Sequence, residues 1–206
     1  MSMNLYYFHD PMCSWCWAFR PIWQEVVTRL PDNVVVKRIL GGLAPDTDQP
    51  MPTEMQAKLK GIWQKIQQPV PGTAFNFDFW TTCIPRRSTY AACRAVIAAR
   101  EQDSVKEEAM ILAIQQAYYL HAKNPADMST LFALASDIGL DRERFEANMT
   151  SAVVNQALMR DIEFTQTLNV KGFPTLLLEN QGIVTAIDYD YTSANNALRQ
   201  IEHLSQ

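Results

Sequence analysis

The stretch His9-Asp10-Pro11-Met12-Cys13-Ser14-Trp15-Cys16-Trp17-Ala18-Phe19-Arg20-Pro21 sets two thiols three positions apart, between a strand signal and a helix signal. Before it, Leu5-Tyr6-Tyr7-Phe8 is a short apolar run halted by Asp10-Pro11, the pattern of a buried strand that stops abruptly. After it, Ala18, Phe19, Ile22, Trp23, Val26, Val27 and Leu30 share one helical face. Cys13 is therefore expected, exposed, at or just before a helix N-terminus, where unpaired N–H groups and the positive end of the dipole favour negative charge on sulfur. Cys16 lies one turn further in on the same side. Two thiols so placed can close a small disulfide and reopen it, the first attacking and the second resolving. Half a zinc site and an inert pair are the competing readings.

A zinc ribbon would need a second C-x-x-C, or a Cys/His pair at ligand spacing. Cys83 and Cys93 are ten positions apart and His9, His121 and His203 are dispersed, so no metal is expected. Cys93, within an alanine-rich helical pattern, reads as a small core hydrophobe. Cys83 reads as packing or as a loop residue near the site. His9 could lower a thiol pKa as a cation, or simply end a strand. Ser14 could donate to a Cys13 thiolate or cap the helix. Trp15 and Trp17 offer apolar surface that could hold an unfolded peptide, or belong to the core.

The chain has 206 residues, 48% of them apolar, enough for one domain or one domain carrying a large insertion. A net charge of −4, with Lys37-Arg38 and Arg86-Arg87 the only adjacent basic pairs, argues against a nucleic-acid partner. No stretch of about 18 or more apolar residues offers a membrane span. The strand signal begins by about Asn4 with no leader-like region before it, so the cytoplasm is the expected setting. There a C-x-x-C pair beside a strand-helix pattern is catalytic more often than structural.

Outward from the cysteines, Val34-Val35-Val36-Lys37-Arg38-Ile39-Leu40 is a second strand, closed by Gly41-Gly42 and followed by a loop over 43–52. With the helix between them, the two strands form a βαβ unit and should run parallel. From Thr53 to about Asn169 the pattern is mostly helical. Thr53 can cap a helix carrying Met55, Leu59, Ile62, Trp63 and Ile66; Ser88 opens the alanine-rich helix; Ser104 with Glu107 forms a capping-box signature. Further helices begin at Asp127, Asp141 and Ser151, with Gly139 as a C-terminal stop. The second informative stretch is Asn169-Val170-Lys171-Gly172-Phe173-Pro174-Thr175-Leu176-Leu177-Leu178-Glu179, where a proline heads a strand-like run it could not pair within. Asn180-Gln181-Gly182 then turns the chain into Ile183-Val184-Thr185-Ala186-Ile187, and Thr192 or Ser193 can cap a final helix.

The motif Cys13-Ser14-Trp15-Cys16 opening a helix, Pro21 eight positions after Cys13, and Gly172-Phe173-Pro174-Thr175 before a strand together resemble the thioredoxin superfamily. The order β-α-β, helical insertion, β-β-α resembles its DsbA family, especially the DsbA-like or FrnE-like cytoplasmic members. The resemblance implies an α/β thioredoxin-like fold, with residues 1–50 and 170–206 forming a discontinuous thioredoxin-like domain around a helical subdomain over 51–169. It implies a thiol-disulfide oxidoreductase or disulfide isomerase in which Cys13 is the nucleophile, Cys16 the resolving thiol and Pro174 a cis-proline. Phe173 would offer its backbone to a bound substrate, with Trp15 beside it and Ser14 and His9 in support. The redox-active disulfide serves as its own cofactor, with protein thiols and disulfides, or glutathione, as reaction partners. The chain departs from the family in one respect: the buried strand acid found in many relatives is absent, since Tyr6, Tyr7 and Phe8 stand there. Two other readings stand beside this one. The first is a glutathione-dependent transferase or isomerase like the kappa-class and chromene-carboxylate enzymes, which the presence of both cysteines disfavours. The second is a redox-silent adaptor using the helical block.

Overall fold

A computed structural model describes residues 3–205 of the chain. Strand β1 (Met3–His9) leads through a tight turn into helix α1 (Ser14–Thr28), and β2 (Val34–Leu40) follows. The β-branched run of β2 pairs parallel with β1, Phe8 opposite Ile39 and His9 opposite Leu40. After the insertion come β3 (Thr175–Asn180), β4 (Ile183–Ala186) and the helix closing the chain order, Asn195–Leu204. The sheet order is β2-β1-β3-β4, with β3 antiparallel to both of its neighbours. The β3–β4 hairpin turns at Gln181 and Gly182, both at positive φ, where the missing Cβ of glycine removes the steric cost.

The insertion supplies α2 (Thr53–Ile66), a short α3 (Phe79–Thr82), α4 (Tyr90–Gln102), α5 (Lys106–Tyr119), α6 (Met128–Asp137), α7 (Arg142–Met149) and α8 (Ala152–Thr167), so that Asn195–Leu204 is α9. Its apolar faces form the largest buried cluster, which reaches the sheet end through Met12 and Leu40. A second cluster joins Leu5, Tyr7, Leu176 and Leu178 of the sheet to Phe19, Trp23 and Val26 of α1 and to Leu198 and Ile201 of α9.

Asp141 and Ser151 cap α7 and α8 as the sequence suggests, each accepting a backbone N–H, and Gly139 stands at positive φ past α6. Elsewhere the caps differ. Pro52, not Thr53, precedes α2, and Thr89, not Ser88, precedes α4. The capping box does not form, because Asp103 takes the Val105 N–H through its carboxylate and the Lys106 N–H through its carbonyl, so α5 starts after Val105. Asp127 precedes α6 but spends its carboxylate on Arg86. Ala194 precedes α9 in place of Thr192 or Ser193, whose amides turn back onto the Asp190 carboxylate.

Candidate functional site

The antiparallel register of β1 and β3 sets Phe8 opposite Thr175, so the chain leaving β1 and the chain entering β3 meet at one end of the sheet. That end holds both motifs. The Phe173-Pro174 peptide bond is cis, and the Phe173 carbonyl points at the Cys13 thiol, Sγ to O 3.5 Å. The Phe173 ring lies where a Cβ on Gly41 would stand, 1.8 Å from the ring's Cζ, so the glycine ending β2 is the seat of this side chain.

The turn between β1 and α1 is fixed by Asp10, which is fully buried. Its carboxylate accepts from the Met12 amide at 2.8 Å, the Leu43 amide at 2.8 Å and the Thr89 hydroxyl at 2.7 Å, with the Cys93 thiol at 3.6 Å. Its carbonyl accepts the Cys13 N–H at 3.0 Å. Burial raises the Asp10 carboxyl above its usual range and these donors oppose it. Sequence reasoning left the role of Asp10 open because, apart from Met12 and Cys13, its partners come from the start of α4 and from the loop after β2, remote in the chain.

Cys13 is the N-cap of α1 and Cys16 lies one turn in; both are free thiols. Cys16 is fully buried, and Cys13, expected to be exposed, retains only 7% of its surface because Phe173 and the insertion cover it. Burial first, and then the adjacent Cys13 thiol, push the Cys16 thiol well above its ordinary range. Cys93 is a buried core residue whose thiol is likewise pushed up by burial, and Cys83 packs at the edge of the insertion core with its thiol on the Ala122 carbonyl.

His9 ends β1, buried and stacked on Tyr7 at 4.8 Å between ring centroids. Burial and then the positive charges of Arg38, Arg20 and Arg100 bring its pKa down to about 3, so it is neutral and brings no cation to Cys13. Ser14 is the first residue of α1, and its hydroxyl makes no hydrogen bond among the described residues, neither to Cys13 nor as a cap. Trp15 is half-buried against Tyr191, centroids 5.0 Å apart, whereas Trp17 donates to the Ala74 carbonyl and stacks on Tyr119 within the insertion core.

Access to Cys13 runs through a cavity of about 190 Å³ lined by Met12, Cys13, Ser14, Trp15 and Phe173 on one side. Leu59, Ile62 and Trp63 of α2, Tyr118 of α5, Arg87 and Leu43 complete it. Half of this wall belongs to the insertion, and no local sequence signal marks it. A larger hollow of about 580 Å³ opens along α1 on the far side of Trp17 and does not include either thiol of the pair. Among the described residues, no group of three or more His, Cys, Asp and Glu side chains converges as a metal site would, and no helix is long and apolar enough to cross a membrane.

The family model described as thioredoxin matches residues 6–189. Among solved structures, the chain is similar to a protein from Nitrosomonas europaea provisionally named a protein disulfide isomerase, with a TM-score of 0.85, 28% identity, and 99% of this chain and 97% of that one covered. It shares its fold with the cytosolic disulfide reductase DsbM from Pseudomonas aeruginosa, at a TM-score of 0.78 and 23% identity over 98% of each chain, and DsbM is also solved with GSH. Among curated relatives, the ClpXP adapter protein SpxH of Halalkalibacterium halodurans is 24% identical over 185 residues; the match takes in 88% of this chain but 60% of that protein's length.

Proposed function

The chain belongs to the thioredoxin family, as a DsbA-like member of that superfamily, and from this premise we propose that it is a thiol-disulfide oxidoreductase acting through the Cys13-Cys16 dithiol. The observation that carries the reading is the unequal placement of two free thiols one helical turn apart, Cys13 at 7% exposure on a cavity and Cys16 at 0% behind it. Cys13 attacks a substrate disulfide, forming a mixed disulfide as one substrate thiolate leaves. Cys16 then attacks the Cys13 sulfur, closing the intramolecular disulfide and releasing the second substrate thiol. Two electrons pass from the dithiol to the substrate, and the reverse sequence oxidises a substrate dithiol. The Phe173 carbonyl and the cis-Pro174 beside it offer a polar edge to the substrate chain, and Trp15 an apolar one. On this reading the protein works in the cytoplasm on protein disulfides or on glutathione.

Insulin reduction driven by dithiothreitol, run with both single serine variants, tests it. In a parallel incubation with insulin and no added reductant, Cys16→Ser should accumulate mixed disulfides that dithiothreitol then cleaves, and Cys13→Ser none. Turnover retained by Cys13→Ser, or alkylation near neutral pH that labels Cys16 before Cys13, would overturn the proposal. The adapter name of the SpxH relatives favours a second reading, a protein-binding role. A purely adapter chain would show no turnover with both cysteines present, and a transferase would conjugate glutathione in the Cys16→Ser variant.

A further inference from the structure

The pair Arg86-Arg87 is divided by the fold. Arg86 is committed, donating to the Ala126 carbonyl and to the Asp127 carboxylate. Arg87 is half-buried on the dithiol cavity and has neither an ion pair nor a hydrogen bond among the described residues. The Tyr118 hydroxyl of the same wall also lacks a partner among the described residues, and the positive charge of Arg87 acts upon it. The fully buried carboxylate of Asp10 is taken up by its own donors. Around these two groups the cavity wall is apolar: Leu43 from the loop after β2, and Leu59, Ile62 and Trp63 from α2.

A guanidinium partly withdrawn from water with no counter-ion is stabilised by an incoming anion, and its fork of donors matches a carboxylate. Resting on the dithiol reading, we propose that Arg87, with the Tyr118 hydroxyl, holds a carboxylate of a low-molecular-weight thiol or disulfide while its sulfur meets Cys13. At about 190 Å³ the cavity lies below the roughly 300 Å³ at which sites enclosing a whole drug-sized ligand begin, so it would take the sulfur and one carboxylate arm of such a molecule and leave the rest outside. Glutathione disulfide has the required chemistry. Cys13 would bond to one of its sulfurs, the other glutathione leaving as a thiol, and Cys16 would then displace the first. The dithiol gives up two electrons and two glutathiones leave reduced.

The test uses full-length protein, reduced beforehand, and follows single-turnover rate constants for glutathione disulfide, uncharged 2-hydroxyethyl disulfide and insulin. In Arg87→Met the ratio of the glutathione rate constant to the hydroxyethyl one should fall about tenfold or more, the size of a lost charge-assisted contact. Arg87→Lys should recover part of it, and Arg86→Met, whose ion pair lies off the cavity, should keep the wild-type ratio. A ratio within about twofold of wild type in Arg87→Met, or a loss confined to insulin, overturns the carboxylate assignment and leaves the dithiol reading intact. Failure of the wild-type protein to react with any of the three overturns both.

Discussion

His9 shows how burial decides the chemistry of a residue whose type invites another reading. A histidine four positions ahead of an attacking thiol could be a cation, but the end of β1 is dry and faces Arg38, Arg20 and Arg100, which together with burial bring the imidazole to about 3. The linkage has a definite sign. Below the ordinary 6.5 the unfolded chain binds a proton that the folded chain refuses until about 3, so this stability is present at neutral pH and lost as pH falls through that window. The slope is about 1.4 kcal/mol per pH unit. Asp10 acts oppositely, since its raised carboxyl keeps a proton the unfolded chain has released, so its contribution declines as pH rises above 3.8. The expected outcome is therefore a difference: urea midpoints should drop between pH 6.5 and pH 4.5 more steeply in the wild type than in His9→Phe. Parallel curves for the two proteins would show that His9 titrates normally in the fold.

Among the elements, the joints matter more than the elements themselves. Asp10 fastens the β1–α1 turn to the loop after β2 and to the start of α4, and an amide in its place would turn its N–H₂ against either the Met12 N–H on one oxygen or the Leu43 N–H and Thr89 hydroxyl on the other. Asp10→Asn is expected to lower stability by about 2 kcal/mol or more, measured by chemical denaturation, and a change under about half a kcal/mol would mean the contacts are incidental. The end of β2 is a second joint. A methyl group on Gly41 must displace the ring of Phe173, the residue whose carbonyl faces Cys13 and whose ring lines the dithiol cavity. Gly41→Ala should slow insulin reduction about tenfold or more. Adding Phe173→Ala to that variant should relieve the clash and restore part of the rate; a Gly41→Ala protein with wild-type turnover would show that the ring's position is irrelevant. The strands, the first helix and the hairpin were legible in the sequence because each rests on a local period or turn. So were Cys13, Cys16, Phe173 and Pro174, which belong to two short motifs. The false capping box at Ser104 and Glu107 failed because Asp103 takes the next two amides, those of Val105 and Lys106, and moves the helix start past Ser104, while the Glu107 carboxylate pairs with Arg100. Asp10, Arg87 and the Leu59, Ile62, Trp63 wall gave no local signal, because what they do depends on packing across the insertion.

At the scale of the whole molecule, the insertion is bound to the sheet by more than apolar contact, and this bears on how the protein unfolds. Helix α1 serves every cluster at once: Trp17 packs on the insertion core, Phe19 and Trp23 on the sheet core, and Ala18 with Ile66 and Val70 between them. Beneath it runs a chain of charges in which Arg20 of α1 meets Glu108 of α5 at 2.6 Å, Arg38 of β2 meets Glu108 at 3.2 Å and Glu107 at 3.8 Å, and Glu107 meets Arg100 of α4 at 3.0 Å. Arg20 is largely buried, so breaking its pair would strand a charge away from water. The insertion and the thioredoxin-like part should accordingly open together. Native-state hydrogen exchange in rising urea should bring the slowest amides of β1 and of α4 to one common free energy. Glu108→Gln should lower that shared value by about 2 kcal/mol in both elements alike. Two separate plateaus in the wild type, or a loss confined to α4 in the variant, would mean that the helical block opens on its own and that the wall of the dithiol cavity can swing away from Cys13 without unfolding the sheet.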